Sequence, residues 1–126
     1  MARDLSETLS SAEVTISDSE RGKAEEIASA IGRDNVNSIQ LDVSDHQKVV
    51  KTLKGFDLAV GLTPGKVGYD AIKASILAGM DMVDLSYMAE DPLTLSEEAL
   101  QAGVRVIPDC GVAPGLSNIL IGRALA

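Results

Sequence analysis

Four glycines, Gly32, Gly55, Gly79 and Gly103, stand 23, 24 and 24 residues apart, and each closes a stretch whose apolar residues recur with helical spacing. The residue just past a helix usually turns left-handed, a conformation that a Cβ makes costly and glycine adopts freely. Each of the four is therefore read as a helix terminator. A short β-prone segment follows each: Val36–Leu41, Asp57–Val60, Met82–Val83 with its flanks, and Val104–Ile107, with Glu13–Ser17 as an earlier one. Ahead of the glycines, Ala24, Ile27, Ala28 and Ile31 form one helical stripe and Val49, Val50 and Leu53 a second. Residues 66–78 and 116–125 read as further helices. Ser44-x-x-Gln47 and Thr94-x-x-Glu97 have the spacing of capping boxes and mark two helix starts.

Strands alternating with helices imply right-handed crossovers and an open, doubly wound parallel sheet, an α/β domain. A leucine-rich solenoid of similar period would need leucines at fixed offsets and an Asn or Cys ladder, and neither is present. Residues 2–10 read as a helix end carrying Leu5 and Leu9 with no strand ahead of it, so the pattern is expected to lack the usual first strand.

With 126 residues, 45% hydrophobic and 24% charged, the chain is expected to form one folded domain over residues 1–126. A net charge of −8 is the wrong field for a phosphate backbone, and Phe56, Tyr69 and Tyr87 are too few aromatics for base stacking, so nucleic acid is excluded as a partner. Cys110 is alone, which precludes an internal disulfide, and no basic segment leads into an apolar run; a cytoplasmic location is expected. The longest uncharged run, Cys110 to Gly122, is broken by Gly, Pro, Ser and Asn and falls short of the ~20 apolar residues of a membrane span.

Ligands of open α/β sheets bind outside the carboxyl ends of the strands. Asp18, Asp42, Asp84 and Asp109 follow four of the five strands, and Gly61-Leu62-Thr63-Pro64-Gly65 follows the other. Any one aspartate alone could be a helix cap; four together favour a cleft. Asp18 is placed to accept hydrogen bonds from a ribose diol and to repel a 2′-phosphate, which favours NAD, while Arg21 could neutralise such a phosphate and admit NADP. Asp42 and Val43 are placed to border the adenine, and the Gly61–Gly65 loop to approach a cofactor closely. No G-x-G spacing occurs, so the usual pyrophosphate cradle is missing; Gly61-x-x-x-Gly65-Lys66-Val67 lacks the spacing and the hydroxyl of a P-loop. Lys66 reads as a solvated lysine near a helix start. Lone residues Cys110 and His46 make neither a catalytic pair nor a zinc set, and a lone cysteine is most often a small buried hydrophobe.

Three segments carry a resemblance: Gly61-Leu62-Thr63-Pro64-Gly65, Val83-Asp84-Leu85-Ser86-Tyr87, and the run from Asp109-Cys110-Gly111 through Val112-Ala113-Pro114-Gly115 to Leu116-Ser117-Asn118. With them the chain resembles the saccharopine dehydrogenase family, nearest to its lysine 6-dehydrogenase-like branch. The resemblance implies a Rossmann-like NAD(P)-binding domain of an amino-acid oxidoreductase. In such enzymes hydride leaves a carbon bearing nitrogen and water hydrolyses the imine, with lysine or saccharopine as typical substrates. It also implies that Asp18 holds the adenosine ribose, that Asp42 and Val43 lie by the adenine, and that Thr63 and Pro64 line the cofactor. Ser86, Tyr87, Cys110 and Gly111 then border the nicotinamide and substrate. By comparison with the family, a first strand with its glycine-rich turn and a C-terminal catalytic domain are expected to be absent, leaving the catalytic residues unassigned and the isolated chain weakly active or inactive. In a 3-2-1-4-5-6 order the missing strand exposes the edges of the strands ending at Asp18 and Gly61, and self-association through those edges is expected. A receiver-like binding module is the competing class. It requires adjacent acids after the first strand and a Lys before a late Pro, where this chain has Ile107 before Pro108.

Overall fold

A computed structural model describes residues 1–125. The chain divides into two compact units, Met1–Asp42 and Val43–Ala126. In the first, helix α1 (Ala2–Thr8) leads to strand β1 (Val14–Asp18), helix α2 (Arg21–Ile31) and strand β2 (Val36–Gln40). β1 and β2 pair in parallel, with Val14 opposite Val36 and Asp18 opposite Gln40, and Leu41 N–H extends the ladder to the Asp18 carbonyl at 2.9 Å.

One side chain explains how α1 is held. The Asn35 amide donates to the carbonyls of Ser6 (3.2 Å) and Ala12 (3.0 Å), tying the end of α1 to the turn before β1. Arg3 Nη2 reaches the Ala30 carbonyl at 3.2 Å, and the buried Ser6 hydroxyl closes back on Arg3 O at 2.8 Å. Of the stripe expected on α2, Ala24 alone is fully buried; Ala28 and Ile31 are half-buried and Ile27 is exposed. The two-stranded sheet beneath α2 is too narrow to cover a full helical face.

In the second unit, helix α3 (His46–Leu53) precedes strand β3 (Ala59–Gly61), helix α4 (Gly65–Ala78) and strand β4 (Met82–Asp84). A 3-10 turn (Pro92–Leu95) runs into helix α5 (Ser96–Ala102), then strand β5 (Val106–Ile107) and helix α6 (Leu116–Leu125). The sheet is parallel, in the order β3-β4-β5. Ala71, Ile72 and Ile76 of α4 pack with Met82 and Leu95 into an aliphatic core, bordered by Ala59, Tyr69, Met88, Ala99, Val104 and Val106. Register between β4 and β5 is pinned by Asp81. One carboxylate oxygen accepts Arg105 N–H at 2.7 Å and the other takes the guanidinium at 2.7 and 3.0 Å. These contacts, led by the backbone N–H, hold the Asp81 carboxyl below the usual carboxylate range. Among the described residues β1 pairs with β2 alone and β3 with β4 alone, so each has one edge without a strand partner. No helix of the described residues is long and apolar enough to cross a membrane. α6 buries none of its residues, and Leu116, Ile119, Leu120 and Leu125 are exposed.

The five expected strands are present, and three of the four terminator glycines behave as expected: Gly32, Gly79 and Gly103 have φ of 64°, 72° and 70°. Gly55 does not. α3 ends on Lys54 in a right-handed conformation, and the chain leaves through Gly55 N–H to Thr52 O (3.1 Å) and Phe56 N–H to Leu53 O (2.9 Å), a 3-10 exit that needs no positive φ. Neither capping box forms. Asp45 rather than Ser44 caps α3, accepting Lys48 N–H at 3.1 Å, because its carboxylate supplies charge as well as an acceptor. Asp91 caps the 3-10 turn through Leu93 N–H at 2.9 Å, and Thr94 spends its hydroxyl on the Asp91 carbonyl and Tyr69.

Gly79→Ala, with open space around the added Cβ but a left-handed backbone, should cost about 1 kcal/mol in urea unfolding. Gly55→Ala should be neutral or stabilising by up to ~1 kcal/mol, because it restricts only the unfolded chain. Equal losses at both positions would contradict the assigned conformations.

Candidate functional site

At the carboxyl end of β4 lies Asp84, with no exposed surface. One of its oxygens, Oδ2, accepts the Ser86 backbone N–H at 2.9 Å, and Oδ1 accepts the Ser86 hydroxyl at 3.0 Å. The Thr63 hydroxyl, in the loop after β3, lies 3.1 Å from Ser86 Oγ. Backbone bonds hold the surrounding segments: Leu85 N–H to Gly61 O and Cys110 N–H to Asp84 O, both 2.9 Å. Three strand ends thus meet around Asp84, the one after β5 through its backbone carbonyl rather than its carboxylate.

Gly61 and Gly65 are required by packing within the protein itself. A Cβ on Gly61 would collide with the Asp84 carboxylate and the Met82 methyl, and one on Gly65 with the Tyr87 carbonyl. Gly68, one turn into α4, faces the Ser86 Cβ at 2.8 Å from where its own Cβ would stand. The glycines let α4 and its leading loop settle onto the strand end that carries Asp84, Ser86 and Tyr87. The segment after β5 is similarly tight. Asp109 has φ 58°, the Ala113–Pro114 peptide is cis, and Gly115, at φ 126°, pairs with Gly111 in a position where any Cβ would strike the Gly111 and Asp109 carbonyls.

Thr63, half-buried, is joined to the buried Ser86 by their hydrogen bond, and the exposed Pro64 caps the start of α4. Tyr87 is 76% exposed, and Gly111 is half-buried in the folded loop. Cys110 is exposed, with its thiol toward the Ile107 and Pro108 carbonyls at 3.5 and 3.7 Å, and so is not the buried hydrophobe that a lone cysteine usually is. His46 opens α3, exposed and 3.9 Å from Asp70. Lys66 is exposed in the first turn of α4. Among the described residues no group of three or more His, Cys, Asp and Glu could hold a metal.

In the first unit Asp18 ends β1, half-buried, and its Oδ1 accepts Glu20 N–H at 2.8 Å, leaving Oδ2 outside that bond. The carboxylate shapes the turn into α2 without capping it, since Glu20 holds the cap position. Ser19 and the exposed Arg21 and Lys23 surround it; Arg21 pairs with Glu25 at 2.7 Å and Lys23 with Glu20 at 2.5 Å. Gln40 donates to the Ser19 carbonyl at 2.9 Å and joins the carboxyl ends of β1 and β2. Asp42 is exposed and Val43 half-buried. Both cations of the turn are thus engaged by neighbouring glutamates.

Grouping Asp84 with the cleft-facing aspartates is thus corrected: its carboxylate is consumed inside the fold. Its role had one legible signal, the Ser two residues on in an Asp-x-Ser turn, a spacing that lets one side chain take both donors of the other. Burial pushes the Asp84 carboxyl up, the nearby Asp109 charge adds to this, and the Ser86 donors oppose it. A carboxyl whose folded value is raised favours folding at acid pH and loses that contribution as pH climbs from the ordinary carboxylate range through the folded value. Compared with Asp84→Asn, which does not titrate, the wild type should therefore lose stability as pH rises through that window. Urea midpoints across the pH series test this, and a constant or opposite gap would refute the assigned shift.

Comparison with known proteins gives a consistent set of relatives. Residues 1–107 match the family model described as "Saccharopine dehydrogenase NADP binding domain". Alpha-aminoadipic semialdehyde synthase of Arabidopsis thaliana is 27% identical over 89 residues, 71% of this chain and 8% of that protein. Saccharopine dehydrogenase [NADP(+), L-glutamate-forming] of Schizosaccharomyces pombe is 31% identical over 88 residues, 70% of this chain and 20% of that protein. The solved apo saccharopine dehydrogenase (L-Glu forming) of Saccharomyces cerevisiae superposes with a TM-score of 0.81 at 25% identity, covering 98% of this chain and 28% of that one. The chain therefore spans a minor part of the length of these relatives. The alternating parallel architecture is Rossmann-like, and the family description favours the phosphorylated dinucleotide over the NAD preference that Asp18 alone suggests. By its match over residues 1–107, the chain belongs to the saccharopine dehydrogenase NADP binding domain family.

Proposed function

We propose that residues 1–126 serve as the nicotinamide-dinucleotide-binding domain of a cytoplasmic amino-acid dehydrogenase that oxidises a carbon–nitrogen bond of a saccharopine- or lysine-type substrate. The observation that carries the reading is the β1–α2 turn: a half-buried Asp18 at the carboxyl end of a parallel strand, followed by Ser19 and the exposed cations Arg21 and Lys23. Asp18 accepts from the adenosine ribose, Arg21 faces the 2′-phosphate of NADP, and Asp42 and Val43 border the adenine. Thr63 and Pro64 line the cofactor at the end of β3, and Ser86, Tyr87, Cys110 and Gly111 border the nicotinamide and substrate. When bound, the nicotinamide supplies the hydride acceptor. This chain's own residues supply orientation.

Titration of the purified chain with NADPH and NADH, followed by nicotinamide emission against a tryptophan-free background, tests the reading. Saturable NADPH binding is expected. Arg21→Ala should weaken NADPH about tenfold with little effect on NADH, the loss of a charge-assisted contact. Asp18→Ala should weaken NADH. No saturation by either dinucleotide at millimolar concentration would overturn the reading.

The unpaired edges of β1 and β3 support a second part of the proposal, that copies of the chain associate by strand pairing. Sedimentation should show a concentration-dependent dimer that a proline at Thr15 or Ser17 weakens. A monomer at all concentrations would rule this out.

A further inference from the structure

We propose that Asp84, acting through Ser86, fixes the Thr63 hydroxyl as a hydrogen-bond acceptor toward the bound dinucleotide, so that the ligand group met there is a donor, a hydroxyl or amide N–H. The inference deepens the cofactor reading and rests on it for the identity of the ligand. It follows from counting protons along three side chains. Ser86 is 4% exposed, and its hydroxyl has one proton, which it donates to Asp84 Oδ1 at 3.0 Å. The second Asp84 oxygen is filled by the Ser86 backbone N–H, so the ionised carboxylate, the form above its raised titration range, accepts at both ends and offers nothing back. With its proton committed, Ser86 can only accept from Thr63 across the 3.1 Å separating their oxygens. Thr63 therefore points its own proton inward and turns lone pairs outward from a half-buried position at the end of β3. A phosphate or carbonyl oxygen placed there meets repulsion; a ribose hydroxyl or carboxamide N–H is satisfied.

The glycines hold the chain of hydroxyls in place. Gly61 leaves room for the carboxylate and Gly68 for the Ser86 Cβ, so a side chain at either glycine would displace them. Asp84 is a positioning residue in this scheme, because it need not touch the ligand.

Asp84→Asn tests the proposal, since it is nearly isosteric and should reverse the polarity. Its amide oxygen must stay opposite the Ser86 N–H, which leaves Nδ2 to donate to Ser86 Oγ. Ser86 then donates to Thr63, and Thr63 donates outward. Hydrogen positions from joint X-ray and neutron diffraction should show the Thr63 proton toward Ser86 in the wild type and away from it in Asp84→Asn. A wild-type proton pointing outward would overturn the proposal whatever binds. Affinities then identify the donor. NADPH is compared with its acetylpyridine analogue, which lacks the carboxamide N–H, and with an analogue lacking the hydroxyls of the nicotinamide ribose. The wild type should prefer NADPH to one of these about five- to tenfold, and Asp84→Asn should lose that preference. Loss of packing alone would weaken all three ligands alike, and an unchanged preference in Asp84→Asn would overturn the link from Asp84 to the ligand. Inward protons with no NADPH binding would sink the cofactor reading while establishing the polarity of Thr63.

Discussion

The hydrogen bonds around the buried Asp84 tie together the three strand ends of the second unit. Ser86 delivers both its donors to the carboxylate, Thr63 joins from the loop after β3, and the Asp84 carbonyl takes the Cys110 N–H from the segment after β5. A carboxylate stripped of water is costly unless its oxygens are paired, so the loops that pair it must adopt one geometry. Gly61, Gly65 and Gly68 follow from the same requirement, because a side chain at any of them would push apart the segments that meet there. The strand ends are therefore fixed by the protein's own hydrogen bonds.

The two units are held by different means. Met1–Asp42 has a two-stranded sheet, few fully buried apolar residues and a lattice of side chain to backbone bonds from Asn35, Arg3 and Gln40. Val43–Ala126 has a contiguous aliphatic cluster on α4 and a register clamp in Asp81–Arg105. A narrow sheet cannot bury a whole helical face, which is why polar ties take over in the first unit. Apolar surface also remains on the strands and on α6: Val60, Ile107, Ile119 and Leu120 are exposed. Parallel sheets are normally covered on both faces.

The fold was largely legible because its signals are local. Glycine at a left-handed helix end and β-branched residues in short runs act within a few residues of themselves, and the five strands stand where those signals put them. The exceptions have local competitors. Gly55 follows a helix that exits by a 3-10 turn, Asp45 rather than Ser44 caps α3, and Thr94 lies inside a 3-10 turn capped by Asp91 that runs into α5. Four aspartates follow strand ends along the chain, yet Asp18 is half-buried, Asp42 and Asp109 are exposed, and Asp84 is sealed. Burial depends on what packs from distant parts of the chain, and for Asp84 that is the loop after β3 and the start of α4.

By itself the sequence determined the alternation of strands and helices, the parallel class that follows from it, and the motifs around Thr63, Ser86 and Cys110 that mark the family. Each of these depends on residue types at short spacing. Only the tertiary structure decided that Gly61 and Gly65 make room for protein atoms, that Asn35 anchors α1, and that the Thr63 hydroxyl is tied through Ser86 to a buried charge. Those outcomes are contacts between residues up to 29 positions apart, and no local preference specifies which partner a polar group will find.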